Sequence, residues 1–187
     1  QGYILTGPRG VGKTTTARII SKTLNCSTAK NGVPCNECNS CKEIIDGRNL
    51  DVLEIDGASN RGIEEIRNLR EQIKYTPMNS RYKVFIIDEV HMLTNQAFNA
   101  LLRTLEEPPS HGKFILATTD IHKVPSTIIS RCQRFDFNRI TLDVISKRLS
   151  LILKAESIDI DDASLLSISQ KADGSMRDAL SILDQVI

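Results

Sequence analysis

The sequence predicts an α/β protein: a parallel five-stranded sheet covered by helices over residues 1–140, followed by a small α-helical unit over residues 141–187. Three observations predict it. Short apolar runs alternate with amphipathic segments up to about residue 140, the pattern of right-handed strand–helix–strand crossovers in a doubly wound layer. One run, Val84-Phe85-Ile86-Ile87, is apolar at every position, as a strand buried on both faces must be. From Thr141 onward only helical periodicity remains.

Tyr3-Ile4-Leu5-Thr6 reads as a strand ended by Gly7, and Ala17, Ile19, Ile20 and Leu24 recur at helical spacing beyond Gly12. Between Asn25 and Gly47 the chain turns polar and cysteine-rich, without hydrophobic periodicity before Ile44 and Ile45. It therefore reads as an insertion, a module of about residues 26–45, rather than a standard connection. Asp51 to Ile55 resumes as a strand. Ile63, Ile66, Leu69 and Ile73 then fall on one helical face, with Pro77 as the stop signal. Lys83 to Ile87 is the third strand. Ala97, Phe98, Leu101, Leu102 and Leu105 make an amphipathic helix closed by Pro108-Pro109, and Lys113 to Thr118 is the fourth strand. Ser126 to Ile129 begins a short helix and Arg134 to Phe137 a fifth strand. Leu142, Ile145, Leu149 and Ile152 mark the next helix, Ala163 to Lys171 another, and Ser175 to Ile187 the last. Ser175 and Asp178 have the spacing of a capping box, with Asp where Glu or Gln is more usual.

With 40% apolar and 25% charged residues, a chain of 187 residues can bury a core, which excludes collagen-like, low-complexity and mostly disordered classes. No apolar stretch approaches the roughly 18–20 residues that span a bilayer, and the first residues show no secretory signal. The 24 basic and 23 acidic residues nearly cancel, so any contact with nucleic acid must be a local patch. Of five cysteines, Cys35, Cys38 and Cys41 crowd together, which suits a reducing compartment and a metal site better than a secreted disulfide framework.

Four groups of residues carry chemistry. Gly7-Pro8-Arg9-Gly10-Val11-Gly12-Lys13-Thr14 matches the phosphate loop G-x-x-x-x-G-K-[ST], between a predicted strand and a predicted helix as the motif requires, and Thr15 extends it into the helix. In such a loop backbone N–H groups curl around phosphates, Lys13 reaches the β- and γ-phosphates, and the Thr14 hydroxyl ligates Mg²⁺. The third strand ends in Asp88-Glu89, at the carboxyl edge where parallel sheets bind ligands; Asp88 is expected to hold Mg²⁺ and Glu89 to orient or deprotonate the attacking water. Cys26, Cys35, Cys38 and Cys41, spaced C-x8-C-x2-C-x2-C, supply the four thiolates of a closed structural Zn²⁺ site, although free thiols or an iron–sulfur cluster also suit the spacing. Cys132 reads as a packed thiol.

Three further positions read two ways from the residues alone. Thr118-Thr119 places hydroxyls beside Asp88-Glu89 if the two strands are neighbours, where one could sense a γ-phosphate, or it simply finishes a strand by β-propensity. Arg131 follows the short helix, and Arg177 stands in the first turn of the last helix against its macrodipole; each is either an anion ligand or a surface arginine. His91, His111 and His122 show no metal-like spacing and read as exposed or packing residues.

Taken in order, these pieces resemble the nucleotide-binding module of the bacterial DNA polymerase III gamma/tau family, the AAA+ ATPases of the sliding-clamp loader. The cysteine insertion carries the resemblance, as do Asp88-Glu89-Val90-His91-Met92-Leu93, Leu105-Glu106-Glu107-Pro108-Pro109, Ser130-Arg131-Cys132 and Gly174-Ser175-Met176-Arg177-Asp178-Ala179-Leu180. It implies an AAA+ P-loop NTPase with ATP, Mg²⁺ and Zn²⁺ as its cofactors. It also implies Thr119, with Thr118, as sensor 1, Arg131 as an arginine finger acting on a neighbouring subunit's ATP, and Arg177 as sensor 2 on the helical lid. The implied partners are other loader subunits, the sliding clamp, primed DNA and, through the parent protein, the replicative polymerase. The implied place is the bacterial cytoplasm at the replication fork, and the role is a motor without a polymerase active site.

Relatives carry a segment ahead of the first strand that helps enclose adenine, and a collar domain after the sensor-2 helix. On that resemblance the chain is expected to be a mostly monomeric fragment with weak ATPase activity. Three rivals are another AAA+ motor such as a Holliday-junction translocase, a loader subunit that does not hydrolyse, and a zinc-ribbon nucleic-acid binder. The zinc module with Ser130-Arg131-Cys132 opposes the first, intact Lys13, Thr14, Asp88 and Glu89 the second, and the near-neutral charge the third.

Overall fold

In the computed structural model, which describes residues 2–187, five strands form one parallel sheet in the order β2-β3-β4-β1-β5. The strands are β1 (Gly2–Thr6), β2 (Val52–Asp56), β3 (Lys83–Asp88), β4 (Gly112–Thr118) and β5 (Cys132–Asp136). The helices are α1 (Lys13–Asn25), α2 (Asn39–Ile45), α3 (Ile63–Ile73), α4 (Asn95–Glu106), α5 (Ser126–Ile129), α6 (Leu142–Glu156), α7 (Asp162–Lys171) and α8 (Met176–Val186).

The chain divides into two compact units. One runs to Thr6 and resumes from Thr14 to Asp136; the other combines Gly7–Lys13 with Phe137–Ile187.

In the first unit the central strands are the apolar ones. Val84, Phe85, Ile86 and Ile87 are all fully buried, and so are Ile115, Leu116 and Ala117. Alternation splits β3 between the two faces. Phe85 and Ile87 join a core with Ile66, Leu69 and Ile73 of α3, Phe98 and Leu101 of α4, and Ile128 of α5. Phe85 and Phe114, paired across β3 and β4, stack with centroids 5.4 Å apart. Burying a side chain of this size contributes roughly 1.5–3 kcal/mol, so this face holds much of the unit's stability.

Polar ties fix where β3 begins. Asn25 at the end of α1 exchanges two hydrogen bonds with Tyr82, accepting from its N–H at 2.8 Å and donating to its carbonyl at 2.9 Å. Asp51, 1% exposed, accepts from the N–H groups of Met78, Asn79 and Ser80 at 2.9–3.0 Å. Burial alone would raise this carboxyl's pKa; the N–H groups of Asn79, Met78 and Ser80 outweigh it and hold the group below its ordinary value.

The cysteine-rich insertion contains a short helix, α2, which buries Cys41 and Ile44. One local expectation needs correction. The fifth strand is Cys132–Asp136 rather than Arg134–Phe137, because it pairs along the whole of β1, from Gly2↔Cys132 to Thr6↔Asp136. As an edge strand it is mostly exposed, so its boundary leaves little hydrophobic signal.

In the second unit α6, α7 and α8 share a separate core of Ile145, Leu149, Leu153, Leu165, Ile168, Ala172, Ala179 and Leu183. Ser175 caps α8, accepting from the Asp178 N–H at 3.2 Å, as the Ser-x-x-Asp spacing predicts.

Candidate nucleotide and metal sites

The phosphate loop belongs to the second unit. Gly10 and Gly12 take φ of 75° and 98°, left-handed values that curl the loop and that side chains resist. Gly10 is also pressed from outside: a Cβ there would lie 2.0 Å from Ser175 Oγ and 3.2 Å from Arg177 Cβ. Its carbonyl accepts from the Met176 N–H at 2.9 Å, at the first residue of α8. Gly7 stands against Phe137, whose carbonyl oxygen would be 2.2 Å from an added Cβ. The Lys13 side chain is buried and its ammonium donates to the carbonyls of Gly7 and Pro8 at 2.8 and 2.7 Å. Val11 is buried, while Pro8 and Arg9 at the tip, and Thr15 one residue into the first unit, are exposed. Arg177, in the first turn of α8, is exposed as well.

The first unit contains Thr14 and the strand-end carboxylates. Thr14 Oγ donates to Asp88 Oδ2 at 2.6 Å, and Asp88 Oδ1 accepts from the Glu89 N–H at 2.9 Å. Glu89 itself is left-handed, with φ and ψ both 45°, a conformation that costs a non-glycine residue roughly 1–3 kcal/mol and persists only where the surroundings hold it. Gly57 packs under this turn, donating to the Asp88 carbonyl at 2.8 Å; an added Cβ would come within 2.8 Å of the Glu89 carbonyl oxygen.

Because β3 and β4 are neighbours, the end of β4 reaches the same carboxylate. Thr119 donates to Glu89 Oε2 through its hydroxyl at 2.9 Å and its N–H at 3.3 Å. Thr118, fully buried, instead accepts from the Asp120 N–H at 3.0 Å. His91 was not readable as part of this group. Its side chain is only 9% exposed, and Nδ1 lies 3.1 Å from Thr118 Oγ and 3.3 Å from Glu89 Oε2. Its one sequence signal is its place two residues beyond Glu89. His111 bonds through Nε2 to the Ile73 carbonyl at 2.8 Å, a packing role, and His122 is exposed.

Arg131 stands apart from these carboxylates. Its guanidinium donates to Glu106 at 2.9 Å and to the Thr127 carbonyl at 2.8 Å. An ion pair this exposed contributes roughly 0–1 kcal/mol, so its main effect is to orient the arginine. Next to it, Cys132 is half-buried, and burial raises its thiol to about 11.

The four insertion cysteines converge. Their sulfur atoms all lie within 4.8 Å of one another, with Cys26 and Cys35 3.5 Å apart and Cys26 and Cys38 4.0 Å apart. Sulfurs around a tetrahedral ion with bonds of about 2.3 Å would be about 3.8 Å apart, so this set can hold a metal ion. None of the four is in a disulfide. The Thr28 hydroxyl and the N–H groups of Cys38 and Glu37 bring Cys35 down to about 6, whereas burial pushes Cys41 up to about 12.

A family model described as DNA polymerase III, delta subunit, matches residues 1–141, and one described as DNA polymerase III clamp loader subunit, ATPase lid domain, matches residues 144–187. The chain belongs to the DNA polymerase III clamp-loader family. Within it the resemblance is to gamma and tau subunits. The chain is 57% identical over 187 residues to DNA polymerase III subunit tau of Bacillus subtilis and 53% identical to subunit gamma of Buchnera aphidicola from Acyrthosiphon pisum, in each case along its whole length. It spans 33% of the first and 52% of the second.

Among solved structures, the Thermotoga maritima RuvB Holliday junction branch migration motor superposes with a TM-score of 0.71 at 19% identity, covering 100% of this chain and 54% of that one. A gamma-subunit-related protein of Thermotoga maritima gives 0.54 at 24% identity, covering 91% and 52%. These likenesses establish the AAA+ fold of this clamp-loader chain. No helix among the described residues is long and apolar enough to cross a membrane.

Proposed function

We propose that this chain is the ATP-binding and hydrolysing motor module of a DNA polymerase III gamma/tau subunit, with a nucleotide-binding domain over residues 1–140 and a lid over 141–187. The observation that carries the reading is the 2.6 Å hydrogen bond from the Thr14 hydroxyl to Asp88. It brings the phosphate-loop hydroxyl and the strand-end carboxylate together, the two side chains that a nucleotide-bound Mg²⁺ needs. Mg²⁺, when bound, neutralises phosphate charge.

The chain's own residues do the rest. The N–H groups around Gly10 and Gly12, with Lys13, cradle the phosphates, and Gly7, Pro8, Arg9, Val11 and Thr15 complete the loop. Glu89 accepts a proton from the attacking water, and Thr119 holds its carboxylate in place. Arg177 stabilises phosphate charge from α8 of the same chain. Arg131 acts on the nucleotide of a neighbouring subunit, so turnover depends on assembly.

Cys26, Cys35, Cys38 and Cys41 hold a structural Zn²⁺, since four thiolates leave no open position for water. In this reading the subunit works with other loader subunits to place a sliding clamp on primed DNA at the replication fork, in the bacterial cytoplasm. Differential affinity for nucleotide states drives the cycle. The fold likeness to a branch-migration motor does not favour that rival, because it comes at 19% identity whereas the 57% identity along this chain lies with a tau subunit.

The test is clamp- and primed-DNA-stimulated ATPase of the full-length protein reconstituted with its partner subunits, comparing Arg131→Ala with the unaltered protein. Stimulated turnover that falls at least 100-fold while ATP still binds is the expected result. Turnover indifferent to clamp, DNA and the substitution would point to a different motor.

A further inference from the structure

Glu89 sits in a left-handed turn that its own backbone disfavours, and all three groups that approach its carboxylate converge on Oε2. Two of them come from Thr119. The third is His91 Nδ1, on an imidazole that is almost completely enclosed.

Thr118 Oγ accepts the Asp120 N–H, keeps its own O–H, and lies 3.1 Å from Nδ1, so it suits either tautomer; the Glu89 carboxylate is the neighbour that favours a proton on Nδ1. A bare Nδ1 would aim its lone pair at the Glu89 carboxylate 3.3 Å away, a repulsive contact. An Nδ1–H instead donates to Thr118 Oγ and turns its positive edge toward Glu89 Oε2, 3.3 Å away. The turn from Val90 to Met92 holds the ring there, closed by the Met92 N–H on the Glu89 carbonyl at 2.9 Å.

We propose that His91 is a positioning residue for Glu89: its Nδ1–H, anchored on Thr118 Oγ, stands between that hydroxyl and Glu89 Oε2 as an electrostatic bridge that ties the carboxylate at the end of β3 to the end of β4. This rests on the reading of Glu89 as the group that accepts the proton of water. Both Thr119 donors come from one residue, and His91 adds a group from a second element that approaches the same oxygen atom. Misplacing a reacting group by about 1 Å costs on the order of 100-fold in rate.

The experiment uses the full-length protein assembled with its partner subunits. His91→Leu is expected to lower kcat by about 10- to 100-fold with ATP affinity and melting temperature unchanged. His91→Asn, whose amide nitrogen can stand where Nδ1 stands, is expected to recover most of that loss. Unchanged kcat in His91→Leu, or a loss in His91→Asn as large as in His91→Leu, would overturn the proposal.

Nitrogen NMR of the full-length protein labelled only at histidine supplies a readout that needs no variant. A neutral His91 with the proton on Nδ1 supports the bridge, and a proton only on Nε2 refutes it. Glu89→Gln separates the two layers of the argument: if it hydrolyses ATP normally, the role of Glu89 fails; if it abolishes hydrolysis while His91→Leu is inert, only the bridge fails.

Discussion

Gly10→Ala tests whether the phosphate loop is shaped by α8 as well as by its own glycines. Two costs can be read from the geometry. An alanine at φ 75° enters the left-handed region, at roughly 1–2 kcal/mol. Its Cβ would also meet Ser175 Oγ at 2.0 Å. That hydroxyl can rotate away only by giving up the Asp178 N–H it caps, a loss of about 1 kcal/mol. Together these predict destabilisation of the unit by roughly 2–3 kcal/mol.

Urea unfolding without nucleotide, followed by amide exchange in α6–α8, measures it. A double-mutant cycle isolates the contact. Ser175→Gly alone should cost only a few tenths of a kcal/mol, about what a glycine N-cap costs, and in its background Gly10→Ala should retain the backbone cost and lose the clash. A coupling of about 1 kcal/mol is expected. Coupling near zero, or a Gly10→Ala protein as stable as the unaltered one, would refute the argument that α8 constrains the loop.

Two further outcomes are expected. Asp51→Asn should destabilise the first unit by about 1–3 kcal/mol at neutral pH, since one amide oxygen replaces a carboxylate serving three N–H groups. The folded pKa of Asp51 lies below the unfolded one. Its contribution is therefore complete above the ordinary carboxylate value of about 3.9 and is lost as pH falls through the lower folded value. Urea midpoints at pH 7, 5 and 3 should show the gap between the two proteins closing only at the lowest pH. For the cysteine module, a zinc chelator should abolish amide-exchange protection across residues 26–45 while leaving β1, β3 and β4 protected, because the sheet has its own core. Unaltered protection of the module would remove the structural-metal reading.

Much of this protein is written locally. The strand Val84–Ile87 is legible because burial on both faces demands apolar residues at every position. The phosphate loop is legible because curling backbone around an anion needs glycine at set intervals, and the α8 cap because Ser175 and its partner Asp178 are three residues apart. The four cysteines announce themselves because metal ligands must lie on short loops.

Tertiary structure alone decided what these pieces touch. The order β2-β3-β4-β1-β5 makes β3 and β4 neighbours, and only that adjacency brings Thr119 and Thr118, about 30 residues away, to Glu89 and His91. The same holds for Asp51 with residues 78–80 and for Glu106 with Arg131. Periodicity reports which face of an element is buried, and motifs report what a few adjacent residues can bind. Neither carries the pairing of distant strands, which is set by the joint packing of all five, so a histidine with no spacing signal became readable only once that packing put a carboxylate beside it.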